Sequence, residues 1–171
     1  LLNKIGIGFT YLYNNSFGLL IVIGLNEFNK KKSLKISQDF NKAKILIEKK
    51  ENNQALNILE SIILEKDKFY SPSSLNLIID NELLKDKDKI LSYYDEIISN
   101  SKLDNNTKNL FIFKKIIFIG DEINENELLK NLKPLIQSNS IWKKSVADYI
   151  KQYYLSKSEF EKAKEFNKSI K

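Results

Sequence analysis

The chain of 171 residues contains neither His nor Cys. That removes the commonest general base, the commonest transition-metal ligand and every thiolate. Triads of the Ser-His-Asp kind, zinc-thiolate sites and disulfides are excluded outright. What remains for chemistry is carboxylate and lysine. The densest acidic group is IGDEINENE, with Asp121, Glu122, Glu125 and Glu127. It lacks the alternating oxygen ligands and central Gly of a calcium loop. Acids in a turn and in the first turn of a helix complement the helix dipole, and that is the reading adopted. DKDK, residues 86–89, reads as a solvated loop between helices. Gly6, Gly8, Gly18 and Gly24 form no phosphate loop, because no G-K-[ST] follows. No catalytic residue, cofactor or metal site is expected.

The aromatic residues are a second candidate. Aromatics at helical spacing are core residues in the first instance. Tyr93, Tyr94 and Tyr153 are singled out as residues that could line a groove for a peptide segment, since Tyr is a common interface anchor. The net charge of +6 raises nucleic acid as a partner. However, the lysines alternate with Asp and Glu along the chain, and Arg, the residue suited to bidentate phosphate contacts, is absent. A solvated helical surface accounts for the charge, and no nucleic-acid or small-molecule partner is expected.

The elements that must carry these residues are helical. Two Pro and five Gly are too few for the frequent turns of an all-β chain. From Ile5 to Asn26 no residue is charged, and Phe17 to Leu25 is strongly apolar before Lys30, Lys31 and Lys32. About twenty helical residues cross a bilayer, so residues 1–28 are read as a membrane anchor. A signal-type segment and a buried helix of a soluble fold are the alternatives. The chain has no Met, even at position 1, so Leu1 is not expected to be the native start.

Residues 33–171 read as pairs of amphipathic helices. The second helix of each pair carries an apolar anchor with an aliphatic residue seven positions later. These are Ala55 with Ile62, Ile90 with Ile97, Leu128 with Leu135, and Ala163 with Ile170. The anchors recur at 35, 38 and 35 residues, near the 34-residue period of tetratricopeptide repeats. Ser71 with Pro72 is expected to open one helix and Asp104 or Asn106 another. Gly120 should stop the latter, and Asn124 with Glu127, then Ser158 with Glu161, fit capping boxes. Pro134 is expected to kink or end its helix. Ser158 stands where a tetratricopeptide repeat usually has Gly. The expected fold is all-α, stacked antiparallel helix pairs in a tetratricopeptide-like α-solenoid with an N-terminal hydrophobic helix.

An anchor, a polar helical stem and degenerate helix pairs, in that order, resemble the bacterial ancillary Sec-translocon subunit family. IWKKSVADYI, with Trp142, Ser145 and Ala147, resembles the opening of that family's last repeat. ALNILESI, Ala55 to Ile62, resembles the second helix of its first repeat. The resemblance implies a single-pass inner-membrane protein with its repeats in the periplasm. It also implies an adaptor role toward translocon subunits, exported proteins and periplasmic chaperones, without enzymatic activity. The lysine triplet alone points the other way, to a cytoplasmic body. A soluble cytoplasmic helical-repeat scaffold with unrelated protein partners is the alternative reading.

Overall fold

A computed structural model describes the chain over residues 2–169, with side chains over 24–166 and at Lys168. Eight α-helices and no strand are present among the described residues. They are α1 (Leu2–Glu48), α2 (Asn52–Leu64), α3 (Tyr70–Asp80), α4 (Lys87–Ile98), α5 (Asn105–Ile119), α6 (Glu125–Gln137), α7 (Lys143–Ser156) and α8 (Phe160–Ser169). A 3₁₀ turn, Gly120–Glu122, joins α5 to α6. The uncharged run 5–26 lies outside the residues described with side chains, apart from its last three. Among the described residues no helix is long and apolar enough to cross a membrane.

Packing divides the chain into two units, Leu1–Ile58 and Leu59–Lys171, with the division inside α2. In the first unit, residues 24–35 of α1 are exposed throughout, and burial begins at Ile36 and returns at Ala43 and Leu46. These three positions lie on one helical face. Leu34 and Ile45 are exposed. In the second unit each helix from α3 to α8 packs on the next in the chain. The anchors occupy buried positions: Ala55 and Ile62 on α2, Ile90 and Ile97 on α4, Leu128 and Leu135 on α6, and Ala163 on α8. Ile170 lies outside the described residues.

Helix ends follow the competition for unpaired backbone groups. Asp86, Asp104 and Asn124 cap α4, α5 and α6 by accepting from the amides of Lys89, Thr107 and Glu127 at 3.0, 3.0 and 2.9 Å. At α3 the expected Ser71–Pro72 start is displaced by Asp67. Its carboxylate accepts the amides of Phe69 and Tyr70 at 2.8 and 2.7 Å, so the helix begins at Tyr70 and Pro72 falls inside the first turn. There its missing N–H is one the helix leaves unpaired anyway. The Ser71 hydroxyl donates instead to the Ile62 carbonyl at 2.7 Å. Pro134 does not end α6, which continues to Gln137.

Four connections leave a non-glycine residue at positive φ: Lys50, Lys66, Glu82 and Ser158. At Lys50, Glu82 and Ser158 the hydrogen bonds are those of a Schellman turn. The Glu51, Leu83 and Glu159 amides reach back to the Leu46, Ile78 and Tyr154 carbonyls, each at 2.9 Å. Ser158 therefore ends α7. It does not cap α8, and the expected box with Glu161 is not formed. Gly120, at φ 66, stops α5 as its type predicts.

Candidate functional site: a groove over alpha-3, alpha-4 and alpha-5

Within the second unit α4 packs against both α3 and α5, and the three helices enclose a groove of about 260 Å³. Its walls are Ile79 of α3 with Ile117 and Phe118 of α5, and Tyr94 of α4 stands between them. Buried Leu75 and Ile78 turn one face of α3 inward, which leaves Asn76 and Asp80, four residues apart, on the groove face. On α5, buried Phe113 and Ile116 do the same for Lys114 and Ile117. Ile117 is 48% exposed, an apolar side chain left facing the groove.

Lys114 Nζ donates to Asn76 Oδ1 at 2.7 Å and lies 5.6 Å from the centre of the Phe111 ring. Tyr94 is buried, its ring 6.1 Å from Phe111 and 5.9 Å from Phe118. Burial, assisted by the nearby Asp80 carboxylate, pushes its phenol up to about 12. Tyr94 is therefore a neutral hydrogen-bonding group at any physiological pH. Asp80 is exposed, and its carboxylate makes no hydrogen bond or ion pair with other described residues. The result is a mostly apolar trough with a cation and an anion on its rim.

The three tyrosines singled out from sequence have different surroundings. Tyr94 lines the groove. Its neighbour Tyr93 is buried next to the Lys89–Glu60 ion pair, with Lys89 Nζ 5.9 Å from its ring. Burial raises its phenol pKa. Tyr153, on α7, is half-buried and donates its hydroxyl to the Ile123 carbonyl at 3.2 Å. Asn76, Asp80, Lys114 and Ile117 were not singled out by sequence reasoning. The signal that could have found two of them is the interval of 38 residues between Asn76 and Lys114, which equals that between the anchors Ile90 and Leu128.

The acids of IGDEINENE are spread over several partners. Glu122 pairs with Lys87. Glu125 accepts from Tyr154 Oη at 2.9 Å and from Lys162 Nζ at 2.6 Å. Those two bonds, that of Lys162 foremost, hold the Glu125 carboxyl below its ordinary range, while burial and Glu125 push the Tyr154 phenol up to about 12. Lys162, donating to Glu125 and Glu159, is raised in turn. A second trough of about 370 Å³ runs past this cluster between Leu129, Lys133 and Phe166. Of its charged lining residues, Glu125 and Lys162 are paired with each other.

Comparison of the chain with protein-family models, with curated proteins and with solved structures gave no match.

Proposed function

We propose that this chain is a non-catalytic, protein-binding helical repeat. In this reading α3/α4, α5/α6 and α7/α8 are tetratricopeptide-like antiparallel pairs, and the N-terminal hydrophobic segment ties the protein to a bacterial inner membrane. Its role is that of an adaptor beside the Sec translocon, or with periplasmic chaperones of exported proteins. The repeat assignment is supported by hydrogen bonds that join corresponding places one period apart. Asn100 reaches Lys66 across 34 residues, Trp142 reaches Asn106 across 36, and Lys114 reaches Asn76 across 38. Helix stacks of this kind present extended surfaces to their ligands.

The observation that carries the binding reading is the groove, with exposed Ile117 on one wall and, on its rim, Asp80, whose carboxylate has no hydrogen-bond or ion-pair partner among the described residues. The test is a photo-crosslinking residue placed at position 117 of the full chain in cells, with a second one at Glu82 as control. Adducts to exported proteins or translocon subunits, specific to position 117, are the expected result. Equal crosslinking at both positions, or none at 117, defeats the proposal.

A second reading is favoured by Lys30, Lys31 and Lys32, which by the positive-inside rule put the body in the cytoplasm. A reporter active only outside the cytoplasm, fused after Lys171, separates the two. Periplasmic activity supports the export adaptor, and its absence leaves a cytoplasmic scaffold with other protein partners.

A further inference from the structure

Resting on the reading of the groove as a protein-binding site, we infer that its ligand is an extended peptide segment bearing one acidic and one basic side chain two residues apart. Asn76 holds Lys114 Nζ at 2.7 Å, and Asp80 follows Asn76 by four residues on the same helix. One helical turn separates Asn76 from Asp80, so these two positions stand roughly 6 Å apart, with the cation of the rim held at the first and the anion carried by the second. In an extended chain, side chains two positions apart point to one side and are spaced by about 6.7 Å. The two intervals match, whereas adjacent residues of a strand face opposite ways.

The rim charges are available to such a ligand. Lys114 has used one of its three ammonium N–H groups on a neutral amide, and no carboxylate among the described residues pairs with it. Asp80 accepts nothing from the described residues, and the buried Tyr94 phenol beside it stays neutral. Ile79, Ile117 and Phe118 then form the apolar wall on which the stems of the ligand's charged side chains lie. A peptide with two like charges places one of them against its own kind. A neutral peptide leaves both rim charges unanswered. Either order of acid and base satisfies the groove, since an extended segment can run in either direction.

The experiment uses the full chain in detergent and fluorescein-labelled octapeptides with blocked ends, read by anisotropy at low salt. The central tripeptides are Glu-Leu-Lys, Glu-Leu-Glu, Lys-Leu-Lys and Gln-Leu-Gln, with Glu-Lys-Leu as the spacing control. Two exposed ion pairs are together worth about a fivefold preference for Glu-Leu-Lys. Asp80→Lys, a change on an exposed helix surface, should move that preference to Glu-Leu-Glu. Lys114→Glu should move it to Lys-Leu-Lys. If the unaltered chain binds all five peptides equally and Ile117→Glu abolishes binding, the groove reading stands and the charge-pair inference falls. A preference unmoved by Asp80→Lys also overturns the inference. If none of the five binds, or Ile117→Glu changes nothing, the groove is not a peptide site and both fall together.

Discussion

The side-chain amide of Asn100 donates to the carbonyl of Lys66 at 3.1 Å, while its Oδ1 accepts the amide of Lys102 at 3.0 Å. Asn100 is 3% exposed, so one buried amide ties the turn that ends α2 to the turn that ends α4. Lys66 itself sits at φ 52, and the bond from Asn100 helps to hold that turn.

Asn100→Ala removes both bonds and strands a backbone amide and a carbonyl. A loss of about 1–3 kcal/mol is expected, read as a lower urea midpoint. Faster hydrogen exchange at the Lys102 amide should accompany it. A midpoint unchanged within error, with Lys102 still protected, would show that the turns are held by something else.

Glu82 and Ser158 are non-glycine residues at positive φ, at 50° and 61°, closing Schellman turns. Left-handed backbone costs a side-chain-bearing residue about 1–2 kcal/mol, and glycine escapes it at some cost in unfolded-chain entropy. Glu82→Gly and Ser158→Gly are each expected to raise stability by about 0.5–1 kcal/mol in urea unfolding. Their effects should add, because separate turns share no partner. Destabilisation by either change contradicts the turn assignment.

Leu132 is fully buried in the core shared by α5, α6 and α7, whereas Leu64 is 61% exposed. Leu132→Ala should cost about 2–5 kcal/mol by lost transfer and cavity formation. Leu64→Ala should stay within about 0.5 kcal/mol. The sole tryptophan, Trp142, whose indole N–H donates to the Asn106 carbonyl at 2.9 Å, joins α5 to α7 and reports the transition by fluorescence. Equal effects of the two changes would overturn the burial pattern.

The Glu125 cluster makes stability depend on pH at both ends. Glu125 has a depressed folded pKa, so its contribution is present above its ordinary value of 4.5 and fades as pH falls below it. Tyr154 and Lys162 are raised from 10.0 and 10.5. Their contributions are complete below those values and fade as pH rises beyond about 10. Glu125→Gln should flatten both limbs in thermal melts between pH 3 and pH 11. An unchanged acid limb would show that the carboxylate is not held as described.

Much of the helical order can be read from the sequence because it is written in local chemistry. Ala55, Ile90, Leu128 and Ala163 mark the second helix of each pair, and all four are buried. Asp104 and Asn124 are capping residues whose preference owes nothing to the rest of the fold. The misreadings come from rival local solutions. Asp67 accepts the amides of Phe69 and Tyr70 and so starts α3 ahead of Ser71. Ser158 is used by the turn that ends α7, which leaves it no role at the start of α8. Asn76, Asp80 and Lys114 are ordinary exposed-face polar residues in sequence. Only the packing of α3 and α5 on α4 brings them to one groove.

Among the described side-chain hydrogen bonds, none spans more than the 38 residues between Asn76 and Lys114. Every such link can close once about one repeat of chain has been made. Order can therefore advance from one end as the chain emerges from a ribosome or a narrow pore, each turn set by the one before it. Low contact order of this kind favours rapid folding. It also limits damage: a break in one turn is felt by its neighbours first, and disassembly would run along the chain in steps.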